Sequence, residues 1–464
     1  MIKMARFLLA VWPYTGHVFP NIALAHALRA RGHEVAFYTG ALARPVVEQE
    51  GFACFPFERL ALSIARIVGL AGADTQDDRD TPQLYERLTN YYTAVFDQWP
   101  LARGLQLKAM YRDWILGTAP QQVEDLRGIL SGWRPDVVVC DPFMWGPILI
   151  LHETGAIPVA VFSYFAGCLL PGPDTPPFAL GLPRPHRRWT RPWLHLLEIG
   201  KNFFFADLRR DANRMRRKYR LRPLSTTIMA FAGQMPLYLV ASVPEFDYER
   251  RDLPPSVHYV GPCLWDKPAR QPPLPWMDAL SEGDPIIYVT EGTAHVRTPI
   301  LLQAAAQGLA HLPMQVVMTT GRHRDPERLP LGPRASNVWV KDWVPHSDLF
   351  SKASVVITHG GSGTVLSALQ AGLPLVIVPM QWDHLENAQR VVAARAGLCL
   401  PPRDCTPERL RTAVYRVLHE PSFRQNARRL AVTFRGYRGP ERAAELLETL
   451  CAGRAEGGPL AQGA

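Results

Sequence analysis

The sequence predicts an α/β protein of two facing domains, each a parallel sheet covered by helices on both sides. Three observations carry this. Short β-branched and aromatic runs alternate with Gly/Pro turns and longer helical stretches, which is the rhythm of parallel βαβ units. That grammar stops and restarts once, and between the halves lies Lys267-Pro-Ala-Arg-Gln-Pro-Pro-Leu-Pro275, which favours extended, semi-rigid backbone. The length agrees, because 464 residues make two substantial domains at roughly 100 to 200 residues each.

In the first half, Arg6 to Trp12 reads as a buried strand, Asn21 to Arg31 as a helix closed by Gly32, and Glu34 to Tyr38 as the next strand. Asp136 to Cys140 is a further strand, followed by helix Met144 to Glu153 and strand Pro158 to Phe162. The second half opens with strand Pro285 to Thr290, helix Pro299 to Ala310, and strands Gln315 to Thr319 and Val338 to Lys341. Helix Asp348 to Lys352, strand Ser354 to Thr358, helix Gly363 to Gln370, strand Leu375 to Val378 and helix Leu385 to Ala396 complete it. The expected units are an N-terminal domain over 1–262, a linker over 263–283 and a C-terminal domain over 284–422. A helix over 423–450 is expected to return across the cleft, and 451–464 to form a flexible tail. Open parallel sheets bind ligands beyond the carboxyl ends of their strands, so the site is expected between the domains.

Composition excludes several classes. With 47% apolar and 20% charged residues the chain can build a large core, far from the composition of disordered chains. No apolar run approaches the roughly 18 to 20 residues of a spanning helix. The apolar part of the N-terminus, Phe7 to Trp12, is too short for a signal peptide and reads as the first strand. Seven cysteines, an odd number without a Cys-x-x-Cys pair, fit a reduced, cytoplasmic setting and no structural zinc. The formal charge of +9 is concentrated between Arg184 and Arg222, where thirteen Arg/Lys stand against Glu198, Asp207 and Asp211. Aromatics and leucines alternate with the arginines there. Segment 184–222 is therefore either a helix with a solvated basic face or a peripheral contact with an anionic membrane. No nucleic-acid motif accompanies it, and none is expected as a partner.

The chemistry-bearing segments follow strand ends. At His359-Gly-Gly-Ser-Gly-Thr364 a strand gives way to a helix through three glycines, so amide N–H groups and the positive helix end converge on one spot, an anion cradle. The spacing is neither Gly-x-Gly-x-x-Gly nor a Gly-Lys-Ser/Thr phosphate loop, which speaks against dinucleotide oxidoreductases and nucleoside triphosphatases. His17, in Gly16-His-Val-Phe-Pro20, stands between the first strand and first helix, and read alone is a helix-start residue. Asp141 follows its strand in Asp141-Pro-Phe-Met-Trp145, a pattern that also suits a helix cap. Asp78-Arg-Asp80 mimics a cation-binding pair, but lies in a polar loop and reads as a solvated acidic turn.

Together, Trp343-Val-Pro-His346, Thr358 to Ser367 and Gly372 to Arg390 resemble the donor-binding signature of inverting GT-B glycosyltransferases of the UDP-glucuronosyltransferase, plant secondary-product and antibiotic-macrolide type (family 1). The close match covers about 50 residues, Val338 to Arg390. The resemblance implies two facing Rossmann-like domains and a nucleotide diphosphate sugar as co-substrate, with no cofactor and no metal. It implies that Trp343 covers the nucleobase, Val344 meets its polar edge, and His346 stands where the family often has a ribose-facing Gln. His359 would contact the β-phosphate, Gly363 and Thr364 the α-phosphate, with Gly361 and Ser362 completing the cradle, and Asp383 and His384 would face the sugar. Gly292 and Thr293 match a phosphate or sugar contact; Glu291 between Thr290 and Gly292 is atypical and has no evident role. His17 would be the general base, supported by Asp141; imidazole suits the task because its reference pKa of about 6.5 leaves it mostly neutral near pH 7. Trp12, Phe143 and Trp145 are expected at the acceptor wall, facing a polyketide, flavonoid, terpenoid or lipid alcohol.

Three departures bear on the donor. Ser367 stands where many UDP-sugar users carry a ribose-binding Glu, which makes a dTDP-linked donor credible. His384 replaces a common Gln, which puts glucose in doubt, and His346 replaces another. The resulting expectation is transfer of a hexose or deoxyhexose to a hydroxyl of an apolar acceptor. A nucleotide-sugar epimerase of the same fold and a non-catalytic helper subunit are the alternatives.

Overall fold

The computed structural model describes residues 4–69, 80–93, 100–155, 157–173, 175–178, 180–183, 191–266, 275–280, 283–292, 298–321 and 324–455. Among the described residues, thirteen strands form two sheets. The first contains β1 (Arg6–Ala10), β2 (Glu34–Thr39), β3 (Ala53–Pro56), β4 (Val137–Cys140), β5 (Val159–Ser163), β6 (Leu237–Val240) and β7 (Val257–Tyr259), in the order β3-β2-β1-β4-β5-β6-β7. The second contains β8 (Ile286–Thr290), β9 (Gln315–Thr319), β10 (Val338–Lys341), β11 (Ala353–Thr358), β12 (Leu375–Ile377) and β13 (Gly397–Cys399), in the order β10-β9-β8-β11-β12-β13. Neighbouring strands pair in parallel throughout.

Apolar runs make this possible, because a strand buried on both faces has no polar side. Phe7, Leu8, Leu9 and Ala10 of β1 are all buried, and alternate members belong to separate cores on the two sides of the sheet. In each sheet the order reverses once, between β1 and β4 and between β8 and β11. There the chains leave in opposite directions and open a crevice at the carboxyl edge. The fold thus designates four strand exits, those of β1, β4, β8 and β11.

The helix after β1 runs from Thr15 to Ala30, six residues ahead of the expected Asn21. Pro20 lies inside it; a proline there forgoes one hydrogen bond to the Gly16 carbonyl without ending the helix. The stretch 423–450, expected as one helix, is divided between Pro421–Arg435 and Gly439–Ala455. The first packs in the C-terminal core through Ala427, Leu430 and Phe434, the second in the N-terminal core through Ala443, Ala444 and Leu447. The crossing is narrow, since a Cβ on Gly261 would meet Tyr437 Cβ at 2.3 Å and one on Gly439 would meet the Pro262 carbonyl oxygen at 2.4 Å. Glu448 then clamps Arg31 and His33, each at 2.7 Å.

No helix among the described residues is long and apolar enough to cross a membrane. All seven cysteines are free thiols. Asp80 is not the solvated turn expected of it: half-buried, it accepts from the Ala41 N–H at 3.0 Å and from the Tyr85 hydroxyl, and burial pushes its carboxyl above the usual range. Asp78 lies outside the described residues, and among those described no cluster of three metal-binding side chains occurs.

Candidate active site

Two of the four strand exits deliver a histidine and an acid to one point. The Asp141 N–H bonds the Ala10 carbonyl at 2.9 Å, so β4 leaves the sheet alongside β1. His17, in the first turn of Thr15–Ala30, then brings Nδ1 to 2.7 Å from Asp141 Oδ2. The imidazole is 25% exposed and the carboxylate 0%. With Nδ1 engaged by the acid, Nε2 is the ring nitrogen left for another partner.

A buried carboxylate costs several kcal/mol unless its oxygens are satisfied. Asp141 is held by three donors: His17 Nδ1–H, the Phe143 N–H on Oδ1 at 2.8 Å, and the Tyr164 hydroxyl on Oδ2 at 2.8 Å. Hydrogen bonds to charged groups contribute about 1.5–3 kcal/mol each, enough together to offset the burial. Tyr164 is the first residue past β5, and its hydroxyl also lies against His17 Nδ1.

The other two exits build the opposing wall. His359, directly after β11, is buried between two glycines: a Cβ on Gly292 would stand 2.3 Å from its Cε1, and one on Gly361 2.6 Å from its Nε2. Gly292 has φ +70° and Gly360 φ +98°, conformations that favour glycine. Helix Ser362–Gln370 begins immediately, with extended Gly361 before it and no side-chain cap on its first amides. Those N–H groups and the helix dipole can therefore receive an anion. His384 packs edge-on against His359 at 4.5 Å, and burial pulls both imidazoles down to about 3. Both rings are neutral near pH 7, so this wall offers N–H donors and a dipole rather than imidazolium charge.

Asp383 precedes helix His384–Ala393. Its Oδ2 accepts from the Ser362 hydroxyl at 2.6 Å and from Asn387 Nδ2 at 2.7 Å. Burial pushes this carboxyl up, and those two bonds pull it partly back. Ser362 Oγ in turn accepts the Ala166 N–H across the cleft at 2.8 Å, two residues from Tyr164. The wall with His17 and Asp141 and the wall with His359 and Asp383 are thus joined through Tyr164-Phe165-Ala166 and Ser362.

Aromatic rings span the same gap. Tyr14 lies 5.7 Å from His17 and 6.1 Å from Trp114, which meets Trp382 of the C-terminal domain at 6.4 Å. Trp382 has φ +54°, a conformation that a bulky residue adopts only when its surroundings enforce it.

The other expected positions are placed as follows. Val344 is buried, Trp343 is half-buried, and His346 stacks on Phe350 at 4.4 Å, where burial lowers its pKa. Gly363 is exposed at the helix start, with Thr364 and Ser367 half-buried behind it. Thr293 lies outside the described residues. Phe143 is half-buried, while Trp12 and Trp145 are buried at 1% and 2% and bond the backbone carbonyls of Phe143 and Pro142. Glu291 is a buried support: Oε1 accepts the Leu301 N–H at 3.2 Å and Oε2 pairs with Arg324 at 2.7 Å, tying helix Ile300–Gly308 to the loop after β9. Sequence reasoning missed Tyr164, Trp382 and Asn387. Tyr164 carried a usable signal, since it directly follows a strand beside the reversal point.

Residues 303–450 match the family model described as "Erythromycin biosynthesis protein CIII-like, C-terminal domain". Along nearly its whole length the chain is 32% identical to 4'-demethylrebeccamycin synthase of Lentzea aerocolonigenes, over 449 residues that cover 96% of this chain and 99% of that one. The chain belongs to the family-1 antibiotic glycosyltransferases. Solved structures share the GT-B fold of this glycosyltransferase. The glycosyltransferase of kitacinnamycin superposes with a TM-score of 0.69 at 22% identity, covering 96% of this chain and 99% of that one. The Streptomyces sp. SF2575 glycosyltransferase complexed with thymidine diphosphate has a TM-score of 0.64 at 20% identity, with the same two coverages.

Proposed function

We propose that this glycosyltransferase moves a hexose or deoxyhexose from a dTDP- or UDP-linked donor to a hydroxyl of an apolar natural product, with inversion at the anomeric carbon. The observation that carries this reading is the meeting of the His17–Asp141 pair with the His359–Thr364 cradle, bridged by Ala166 and Ser362. His17 Nε2 takes the proton of the acceptor hydroxyl as its oxygen bonds to the anomeric carbon from the face opposite the diphosphate. The bond from that carbon to the phosphate oxygen breaks, and the nucleotide diphosphate leaves with the electron pair. Its charge is received by the amides at the start of Ser362–Gln370 and by the helix dipole. Asp141 stabilises the imidazolium until the proton reaches solvent.

On the donor side, Trp343 and Val344 serve the nucleobase, His346 the ribose, and His359, Gly361, Gly363, Thr364, Gly292 and Thr293 the phosphates. Asp383 and His384 serve the sugar, with Ser362 and Asn387 holding Asp383 in place. Ser367 lacks a carboxylate for a ribose 2'-OH, which favours dTDP; the relative complexed with thymidine diphosphate agrees with that lean. In a product-release assay with paired donors, dTDP-sugars are expected to outcompete UDP-glucose. A strong preference for UDP-glucose rejects the dTDP reading.

Phe143, with Trp12 and Trp145 behind it and Tyr14, Trp114 and Trp382 alongside, suits an acceptor with flat apolar surface. Among the described residues the buried Trp114 indole N–H and Tyr92 hydroxyl have no hydrogen-bond partner, which favours an acceptor that also carries polar oxygen.

The same reading gives the enzyme a cytoplasmic setting with peripheral contact to an anionic membrane through 184–222, of which 184–190 lie outside the described residues. Helix Arg191–Phe204 turns Trp193, Leu196, Leu197 and Phe203 outward, with Trp193 63% and Phe203 84% exposed. The next helix, Ala206–Lys218, exposes Arg209, Arg210, Arg214 and Arg217. A second copy would bring arginine against arginine, whereas anionic lipid matches both the charge and the apolar stripe. Co-sedimentation with anionic vesicles, and not with zwitterionic ones, is expected; absence of binding at low salt rejects the contact.

A further inference from the structure

We propose that Tyr164 is a positioning residue of the base, setting how tightly Asp141 holds the proton that His17 acquires. This rests on the reading of His17 as the base. The Tyr164 hydroxyl donates to Asp141 Oδ2 at 2.8 Å, the same oxygen that His17 Nδ1 approaches at 2.7 Å. The phenol oxygen also lies against His17 Nδ1, and the two rings are 4.7 Å apart. One carboxylate oxygen therefore serves two donors.

The arrangement has two chemical consequences. A phenol O–H on Oδ2 draws off part of the carboxylate charge, so Asp141 attracts the imidazolium less strongly than it would alone. Contact with both Asp141 and Tyr164 also fixes the ring, which keeps Nε2 as the proton acceptor. Burial pushes the phenol well above its ordinary value, so it stays a donor over the working pH range. The other titratable groups facing this cluster are Tyr14, whose ring lies 5.7 Å from His17, Tyr238 behind Tyr164, and Asp383 from the opposite domain. Burial raises Tyr14 and Tyr238 too, which leaves Asp141 as the acid His17 touches.

The seat of Tyr164 is rigid. Its ring stacks on Phe165 at 4.9 Å with 25° between the planes, and the next amide, Ala166 N–H, is bonded to Ser362. Tyr164→Phe preserves the ring and its stacking and removes only the hydroxyl. At pH 7 its kcat is expected to fall roughly 3- to 10-fold, the scale of one hydrogen bond, with the donor KM unchanged. The acid limb of its pH profile should move to higher pH, because Asp141 freed of one donor favours imidazolium, and activity should recover towards that of the parent near pH 9. A pH profile superimposable on the parent's, or a loss uniform across pH, overturns the proposal. The His17 ring signals, followed by NMR on histidine-labelled full-length chain, give a readout independent of turnover. A titration midpoint raised by Tyr164→Phe supports the coupling of Tyr164 to His17 through Asp141, and an unmoved midpoint overturns it; an active His17→Ala variant instead overturns the reading of His17 as the base, so the two failures are distinguishable.

Discussion

Replacing His17 with alanine is expected to lower kcat by roughly two to four orders of magnitude, the range that a positioned general base contributes. The reason is geometric. Asp141 is fully buried and can act on a substrate only through the ring it holds, while Tyr164 is already committed to Asp141. Deleting the imidazole removes the one group assigned here to take the acceptor proton and leaves Asp141 without the ring it holds. Donor affinity should stay within about twofold, because the cradle proposed for the phosphates follows β8 and β11 in the other domain. Asp141→Asn should fall in the same direction by a smaller factor. Its amide preserves the shape yet stabilises a forming imidazolium poorly and can present an N–H to Nδ1, favouring the wrong tautomer. Steady-state nucleotide release, paired with calorimetric titration of dTDP and UDP, separates the two quantities. Turnover of the alanine variant within about threefold of the parent, measured across the pH range, would place the base elsewhere.

What could be read from sequence follows the physics of strand exits. β1, β4, β8 and β11 are short uninterrupted apolar runs, and whatever follows such a run in a doubly wound sheet is delivered to one edge. The position of His17, Asp141 and His359 just past those strands was legible for that reason, and so was the division into two parallel sheets, since the rhythm of strands and helices restarts once. Long-range pairing was not legible. Glu291 had no evident role because its partner Arg324 lies 33 residues on, and nothing in either neighbourhood announces the pairing. The helical stretch after Phe423 kept its periodicity through Gly436 and Gly439, so the break between two helices was hidden; the tight approach of Gly261 and Pro262 to that turn belongs to the tertiary fold. Trp382 was invisible for another reason: its left-handed backbone is imposed by surroundings that the local sequence does not encode.

The largest expected effect on stability comes from a contact of this long-range kind. Arg390, on helix His384–Ala393, places both Nε and Nη2 2.8 Å from Asp247 Oδ1 in the N-terminal domain. The side chains are 5% and 2% exposed, and Arg390 lies over the Tyr248 ring at 4.7 Å. The fit leaves no slack, since a Cβ on Gly167 would stand 2.1 Å from Arg390 Nε. Asp247 Oδ2 is occupied as well, accepting from the Cys168 N–H at 2.6 Å and the Tyr259 hydroxyl at 2.7 Å. Removing one member of a buried pair strands the other, at a cost of about 3–5 kcal/mol. Arg390→Ala should therefore lower the apparent Tm by several degrees, and because Asp383 and His384 open the same helix, donor binding should weaken with it. Desolvation of the pair offsets much of its own Coulomb energy, so Arg390→Met combined with Asp247→Asn, whose amide oxygen can still accept from the Cys168 N–H and the Tyr259 hydroxyl, should recover part of the lost stability. Thermal unfolding of the single and double variants distinguishes the cases. If Arg390→Ala unfolds at the parent temperature, the ion pair does not hold the domains together, and closure rests instead on the Ala166–Ser362 bond and on the returning helix Gly439–Ala455.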